Sequence, residues 1–146
     1  MQITSPAFSN NGDIPQRYTC DGQDINPPLS LSDIPEEAES LVITVTDPDT
    51  PGKTWVHWVV FNISPDVKEV EEDSVPEGGI LGSNDFGQTE YGGPCPPSGE
   101  THHYFFTVYA IYIKTTLEEG VVFDEVMETI EDNIIDSAEL VGTYRR

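Results

Sequence analysis

Three histidines, His57, His102 and His103, stand at the starts of apolar runs, each beside a stretch rich in turn-forming residues. Asp47 and Asp49 lie two apart upstream of the first histidine, and Tyr104 directly follows the last. Imidazole N–H and phenol O–H groups are hydrogen-bond donors, and such bonds strengthen when the acceptor is charged. This set suits a small anion. A carboxylate has the wrong sign for that task, but Asp47 fits if it orients a histidine and favours its cation, or if it faces an amine on the ligand. Anion affinity should then fall as pH rises through about 6 to 8, where histidine loses its charge. Gly92 and Gly93 add two positions at which backbone N–H groups can come close.

Other chemistries have weaker support. Asp47, Asp49, His57 and His102 are residue types that bind zinc, yet the chain has no HExxH and no close His/Cys spacing, so no metal is expected. Cys95 precedes His102 in a glycine-rich loop, and a Cys/His pair can serve acyl transfer. Pro94 and Pro96 read instead as a rigid loop, and a triad through Ser98 has less support still. No nucleophile is held by a base that a third group orients. Neither catalysis nor a cofactor is expected, and a hydrolase using Cys95/His102 or a bound metal stays as the alternative. Two cysteines, Cys20 and Cys95, do not make a disulfide framework. A bridge between them is possible, but a reducing cytoplasm argues against it.

Composition narrows the partners. The chain has 146 residues and a formal net charge of −21, from 27 acidic and 6 basic side chains. Its length fits one domain, residues 1–146. Nucleic-acid binding works by neutralising phosphates with Lys and Arg, so nucleic acid is a poor partner, and an anionic membrane surface is poor for the same reason. No apolar run is long enough for a membrane span. No basic start leads into an apolar stretch, and a cytoplasmic protein is expected. Disorder is not, because the 36% hydrophobic and 10% aromatic residues gather into compact runs. Self-repulsion of this size destabilises a compact state in dilute buffer. In molar salt, where the Debye length is about 3 Å, it is screened. A salt-loving setting follows as an expectation.

The elements that must position these groups are mostly strands. Residues 40–46 (SLVITVT) and 55–63 (WVHWVVFNI) are β-branched and apolar on both faces, and 104–113 (YFFTVYAIYI) is a third run. Residues 64–82 are acidic and turn-rich, and 83–99 form a long Gly/Pro loop of the kind that is usually functional. Phe123, Val126, Met127 and Ile130 recur at helical spacing, and residues 139–144 can return to a sheet. Alternation places His57 on a face with Trp55 and Val59, and His102 on one with Tyr104 and Phe106, while His103 points away. The stretch between the first two long strands is too short for a crossover helix. The expected fold is all-β dominated, an antiparallel Greek-key-type β-sandwich with a peripheral C-terminal helix, with the site where loops meet at one end.

The segment Asp47-Pro48-Asp49-Thr50-Pro51, followed by Trp55-Val56-His57-Trp58-Val59-Val60, resembles the DPDxP…HW signature of the phosphatidylethanolamine-binding protein family. Residues 92–104, from Gly92-Gly93-Pro94-Cys95-Pro96-Pro97 to His102-His103-Tyr104, resemble its second signature, GGPxPPxGxHRY. Tyr18-Thr19-Cys20-Asp21-Gly22, Pro27-Pro28-Leu29-Ser30 and the ending Glu139-Leu140-Val141-Gly142-Thr143-Tyr144 resemble the short prokaryotic, Raf-kinase-inhibitor-like branch. The resemblance implies a cavity for phosphate-like groups, including a phospholipid head group. It maps Asp47, His57, His102 and Tyr104 onto the ligand pocket, and Pro51, Trp55, Tyr91 and Pro97 onto its wall. Asp49, His103, Gly92 and Gly93 fall where the pocket loops are braced. His103 stands where the family usually has Arg, a permanent fork donor, so the loop needs another brace here. The wider family also implies an alternative, a protein-interaction module inhibiting a kinase or protease, and its prokaryotic members imply a homodimer.

Overall fold

The computed structural model describes residues 1–146. The chain enters through short strands β1 (Gln2–Thr4) and β2 (Gly12–Asp13) and a 3₁₀ turn at Gln16–Tyr18. After β3 (Leu29–Ser32) come the long strands β4 (Ser40–Asp47) and β5 (Trp55–Ile63). The acidic stretch holds only β6 (Glu69–Val70) and β7 (Ile80–Leu81). Strand β8 (Thr101–Ile111) carries His102 and His103, α1 (Phe123–Ile130) is the only α-helix, and β9 (Ile134–Arg145) closes the chain.

Two sheets form, in the orders β1-β3-β6 and β2-β9-β8-β4-β5-β7. Within the larger, β8-β4-β5-β7 has the 4-1-2-3 arrangement of a Greek key, with β6 lent to the other sheet on the way. The sandwich expected from the sequence is therefore the one observed. It is not purely antiparallel, because the two-residue strand β2 pairs in parallel with β9 at Gly142 and Thr143.

One core fills the space between the sheets, where Ile3, Leu29 and Leu31 meet Ile43, Trp58 and Phe106. A second lies on the far face, where Val126 and Ile130 of α1 cover Val42, Val59 and Phe61. Both faces of β4 and β5 are covered, which is why these strands read as unbroken apolar runs. An eight-residue helix is too short to hold itself together. It is held by this packing, helped by Asp124 and Glu125 at the positive end of its dipole.

Strand β5 carries two register shifts against β4. Near its end the extra residue falls beside Asn62, whose backbone is left-handed at φ 58°. Near its start Val45 pairs with Trp58 and Thr46 with Val56, which leaves His57 unpaired as a bulge. A bulge re-aims the side chain it carries. Simple alternation therefore fails here: Val59 belongs to the helix-side core, while the His57 ring stands edge-on to Tyr104 of the sandwich core.

Candidate functional site

The ends of β4, β5 and β8 converge with the loop after residue 90 around a cavity of about 140 Å³. Asp47, Trp55, His57, His102, Tyr104 and Pro97 line it. Residues from three chain segments thus meet at one hollow, as the strand ends allow once β8 returns beside β4.

Asp47, the last residue of β4, is buried. Its Oδ2 accepts a 2.7 Å hydrogen bond from His102 Nδ1, and its Oδ1 accepts the backbone N–H of Asp49 at 2.8 Å, closing an Asx turn. One carboxylate thereby fixes a ring and a loop together. The second nitrogen of His102, Nε2, lies 3.4 Å from Glu100 Oε1. Burial pushes the His102 pKa down, but the hydrogen bonds and charges of Asp47 and Glu100 outweigh it, and the pKa sits above the ordinary histidine value.

His57 is the opposite case. Its Nδ1–H donates to the Gly92 carbonyl at 2.7 Å, and Nε2 has no partner in the chain. Burial holds the pKa below the ordinary value despite the Gly92 carbonyl and the Asp47 charge. The ring is thereby biased toward its uncharged form, with Nε2 an acceptor, and two histidines on one cavity are pushed in opposite directions.

Tyr104 is fully buried, and its Oη is the one buried side-chain polar atom without a hydrogen-bond partner. Burial, then the charges of Asp47 and Asp49, push its pKa far above that of a free phenol, while the Cys95 backbone pulls weakly the other way without closing a hydrogen bond. The hydroxyl keeps its proton. An orphaned buried donor is uncommon in folded proteins and calls for an explanation.

Four further residues, Thr50, Phe86, Cys95 and Pro96, line the cavity. Phe86 is 43% exposed and packs edge-on against His57 and Trp55, at ring-centroid distances of 5.3 and 5.6 Å. Its only sequence signal is an aromatic residue within the Gly/Pro-rich segment. Pro51 is exposed and stands off the lining, because the turn after Asp47 projects Thr50 inward instead. Tyr91 also lies elsewhere. Its hydroxyl donates to the Tyr18 carbonyl at 2.8 Å, and it lines a second, acidic hollow of about 280 Å³ with Trp58, Asp24 and Glu90.

The loop residues are used for bracing. Gly92 N–H donates to the His57 carbonyl at 3.0 Å and Gly93 N–H to Asp24 Oδ1 at 2.7 Å, so neither amide is free for a ligand. A side chain at Gly93 would collide with the Tyr18 carbonyl, at 2.4 Å from the added carbon. Asp49 Oδ2 accepts both the backbone N–H and the ring Nδ1–H of His103, at 2.8 and 2.7 Å. Burial works against the Asp49 charge, but these bonds prevail and its pKa lies below the usual carboxylate value. His103, standing where the family usually has Arg, thus ties the start of β8 to the turn after β4 through its own ring and amide.

Cys20 and Cys95 form a disulfide, with Cα atoms 5.4 Å apart. The sequence leaves this pairing open, with a reducing cytoplasm against it; it forms because the glycine loop and the 3₁₀ segment stack side by side and bring the two sulfurs together. The bridge also removes the thiol that a Cys95/His102 hydrolase would need.

The family model for phosphatidylethanolamine-binding protein matches residues 4–145. The chain is 46% identical to a UPF0098 protein of Methanothermobacter thermautotrophicus, covering all of this chain and 99% of that one. Among solved structures, it is similar to a phosphatidylethanolamine-binding protein homologue from Chlamydia trachomatis, at TM-score 0.93 and 43% identity over 99% of this chain and 97% of the other. It is also similar to YbcL of E. coli, described as a member of the mammalian family, at TM-score 0.93 and 32% identity over 99% and 98% of the two chains. The chain belongs to the phosphatidylethanolamine-binding protein family. No helix is long and apolar enough to cross a membrane.

Proposed function

We propose that the protein binds a small phosphate-bearing ligand in this cavity without transforming it. The observation that carries the reading is the unpartnered, protonated hydroxyl of Tyr104, a residue that lines the same hollow as His57 and His102. The hydroxyl is a donor, His102 is a second donor whose raised pKa favours its charged form, and His57, whose pKa is lowered, offers Nε2 as an acceptor. This pattern matches a phosphate monoester: ionised oxygens accept from Tyr104 and His102, and a P–OH donates to His57. Phosphate has a pKa near 6 (roughly), so both forms are at hand near neutrality. Lower pH favours the complex twice over, by protonating the ligand and by keeping His102 charged.

The test is titration calorimetry with inorganic phosphate and with phosphoethanolamine at pH 6 and pH 8, on the protein and on Tyr104→Phe. Binding that is tighter at pH 6 and weaker in Tyr104→Phe is expected. Equal affinity in the variant would overturn the reading. The same proposal includes a cytoplasmic homodimer that works in high salt. Its charge of −21 supports the salt requirement, and family resemblance supports the dimer, which sedimentation in molar KCl checks. The Cys20–Cys95 disulfide narrows the cytoplasmic part of the proposal to a compartment in which intracellular bridges persist, as they do in hyperthermophiles.

A further inference from the structure

His102 has two ring nitrogens and a carboxylate at each. Asp47 and Glu100 are unlike partners. The Asp47 side chain is 3% exposed and its contact is 2.7 Å, whereas the Glu100 side chain is 57% exposed and its contact is 3.4 Å. Asp47 is locked a second time, by the Asp49 amide. No further side-chain hydrogen bond holds the Glu100 carboxylate, although its backbone is fixed by the turn from Pro97 and by the Arg146 amide. The anchored carboxylate therefore belongs to the framework, and the loose one sits on the only nitrogen of this ring that a ligand could use.

We propose that Glu100 is a built-in competitor for the site: its carboxylate caps His102 Nε2, and a bound phosphate takes its place while Glu100 swings into solvent. The inference rests on the phosphate-binding reading above. Its physical basis is simple. A carboxylate and a phosphate oxygen are the same kind of acceptor for an imidazolium N–H. Glu100 is tethered two residues from His102, so its effective concentration at Nε2 is high. A free ligand must add something Glu100 lacks, and Tyr104 Oη, which Glu100 leaves without a partner, is that addition. Glu100 thereby sets a threshold. A group that offers a single acceptor gains nothing over the cap, whereas a tetrahedral phosphate reaches both donors. The displaced charge also stays near the bound anion, so Glu100 weakens binding by repulsion as well as by occupancy.

The test compares inorganic phosphate affinity in the intact protein, Glu100→Gln, Glu100→Ala and Glu119→Gln, in low salt where charge effects are least screened. Glu119 is an exposed acid in the turn before α1, off the cavity lining, and controls for net charge. A gain of roughly tenfold in both Glu100 variants, with no change in Glu119→Gln, is expected for loss of a competing charged contact. Unchanged or weaker affinity in the Glu100 variants, or an equal gain in Glu119→Gln, overturns the inference while leaving the phosphate site standing. No phosphate binding in any of the four overturns both.

Discussion

His102 and Asp47, 55 positions apart in the chain, meet at 2.7 Å with both side chains almost wholly buried. The pair joins the first residues of β8 to the last residue of β4, next to the sheet's central ladder. Breaking a buried pair from one side leaves its partner uncompensated, at a typical 3–5 kcal/mol (roughly). Asp47→Ala should lower unfolding stability by about 3 kcal/mol, and Asp47→Asn, which keeps an acceptor oxygen, by less. Urea melts of both variants measure this. Similar midpoints for the intact protein and Asp47→Ala would refute the role given to the pair.

The two site histidines predict opposite pH effects on stability. The His102 pKa is raised in the folded protein, so its contribution is fully present below the ordinary histidine value, near 6.5, and is lost as pH rises through the higher folded value. The His57 pKa is lowered, so the folded state resists taking up that proton, and stability falls as pH drops below 6.5 toward the lower folded value. Melts from pH 5 to 9 should show a maximum near the ordinary histidine pKa. His57→Gln should flatten the acid limb and leave the alkaline limb in place. A variant that changed only the alkaline limb would reverse the two assignments.

Much of this architecture is legible in the sequence, for identifiable reasons. β4 and β5 are covered on both faces, so an unbroken apolar run was a sufficient signal. The 102/104/106 face of β8 followed from alternation because that strand keeps its register over those positions. His57 did not follow, because the bulge in β5 shifts the count by one and no residue type announces it. Residues 134–138 of β9 were missed because they are exposed or half-buried, with Asp136 and Ser137 where a buried strand would carry apolar groups. The turn of Tyr91 away from the cavity and the joining of Cys20 to Cys95 depend on how the glycine loop stacks on the 3₁₀ segment. Local propensity says nothing about such a contact between segments 75 residues apart.

Tyr104→Phe separates stability from binding. The ring stays in the core beside His57, while the hydroxyl that lacks a partner is removed. Leaving a buried polar group unsatisfied typically costs about 1–3 kcal/mol, so the ligand-free variant should be as stable as the parent or more so, by about 1 kcal/mol. The same change should weaken phosphate binding by about tenfold or more, the value of a hydrogen bond to a charged acceptor. A variant that is both less stable and unaltered in phosphate affinity would mean the hydroxyl serves the fold alone.

The Cys20–Cys95 bridge should control the site as well as the fold. Cys95 lines the cavity, and its neighbour Pro94 accepts the Cys20 backbone N–H at 3.1 Å. A cross-link closing so long a loop typically contributes about 2–4 kcal/mol. Reduction, or the double change of Cys20 and Cys95 to Ser, should lower the melting temperature by several degrees, roughly as that free energy implies. It should also weaken phosphate binding, since Pro96 and Pro97 form part of the same wall. Loss of stability with full retention of binding would place the bridge outside the site's function.

Charge governs the last expectation. The net −21 is spread over a chain with few internal counterions: Arg17 with Glu72, Lys53 with Asp85 and Arg146 with Asp21 are its Lys/Arg ion pairs. The remaining carboxylates repel one another, and compaction raises that repulsion relative to the unfolded chain. Because most of these charges are exposed, salt screens them strongly, with a Debye length of about 10 Å at 0.1 M and about 3 Å at 1 M. The melting temperature should therefore climb between 0.1 and 1 M KCl. NaCl should give the same rise as KCl, since screening depends on ionic strength and not on the identity of the cation. Phosphate affinity should move less steeply than stability, because the donors of the site are buried and only Glu100 and the outer surface are screened. A melting temperature flat in KCl would show that local pairing already balances the charge.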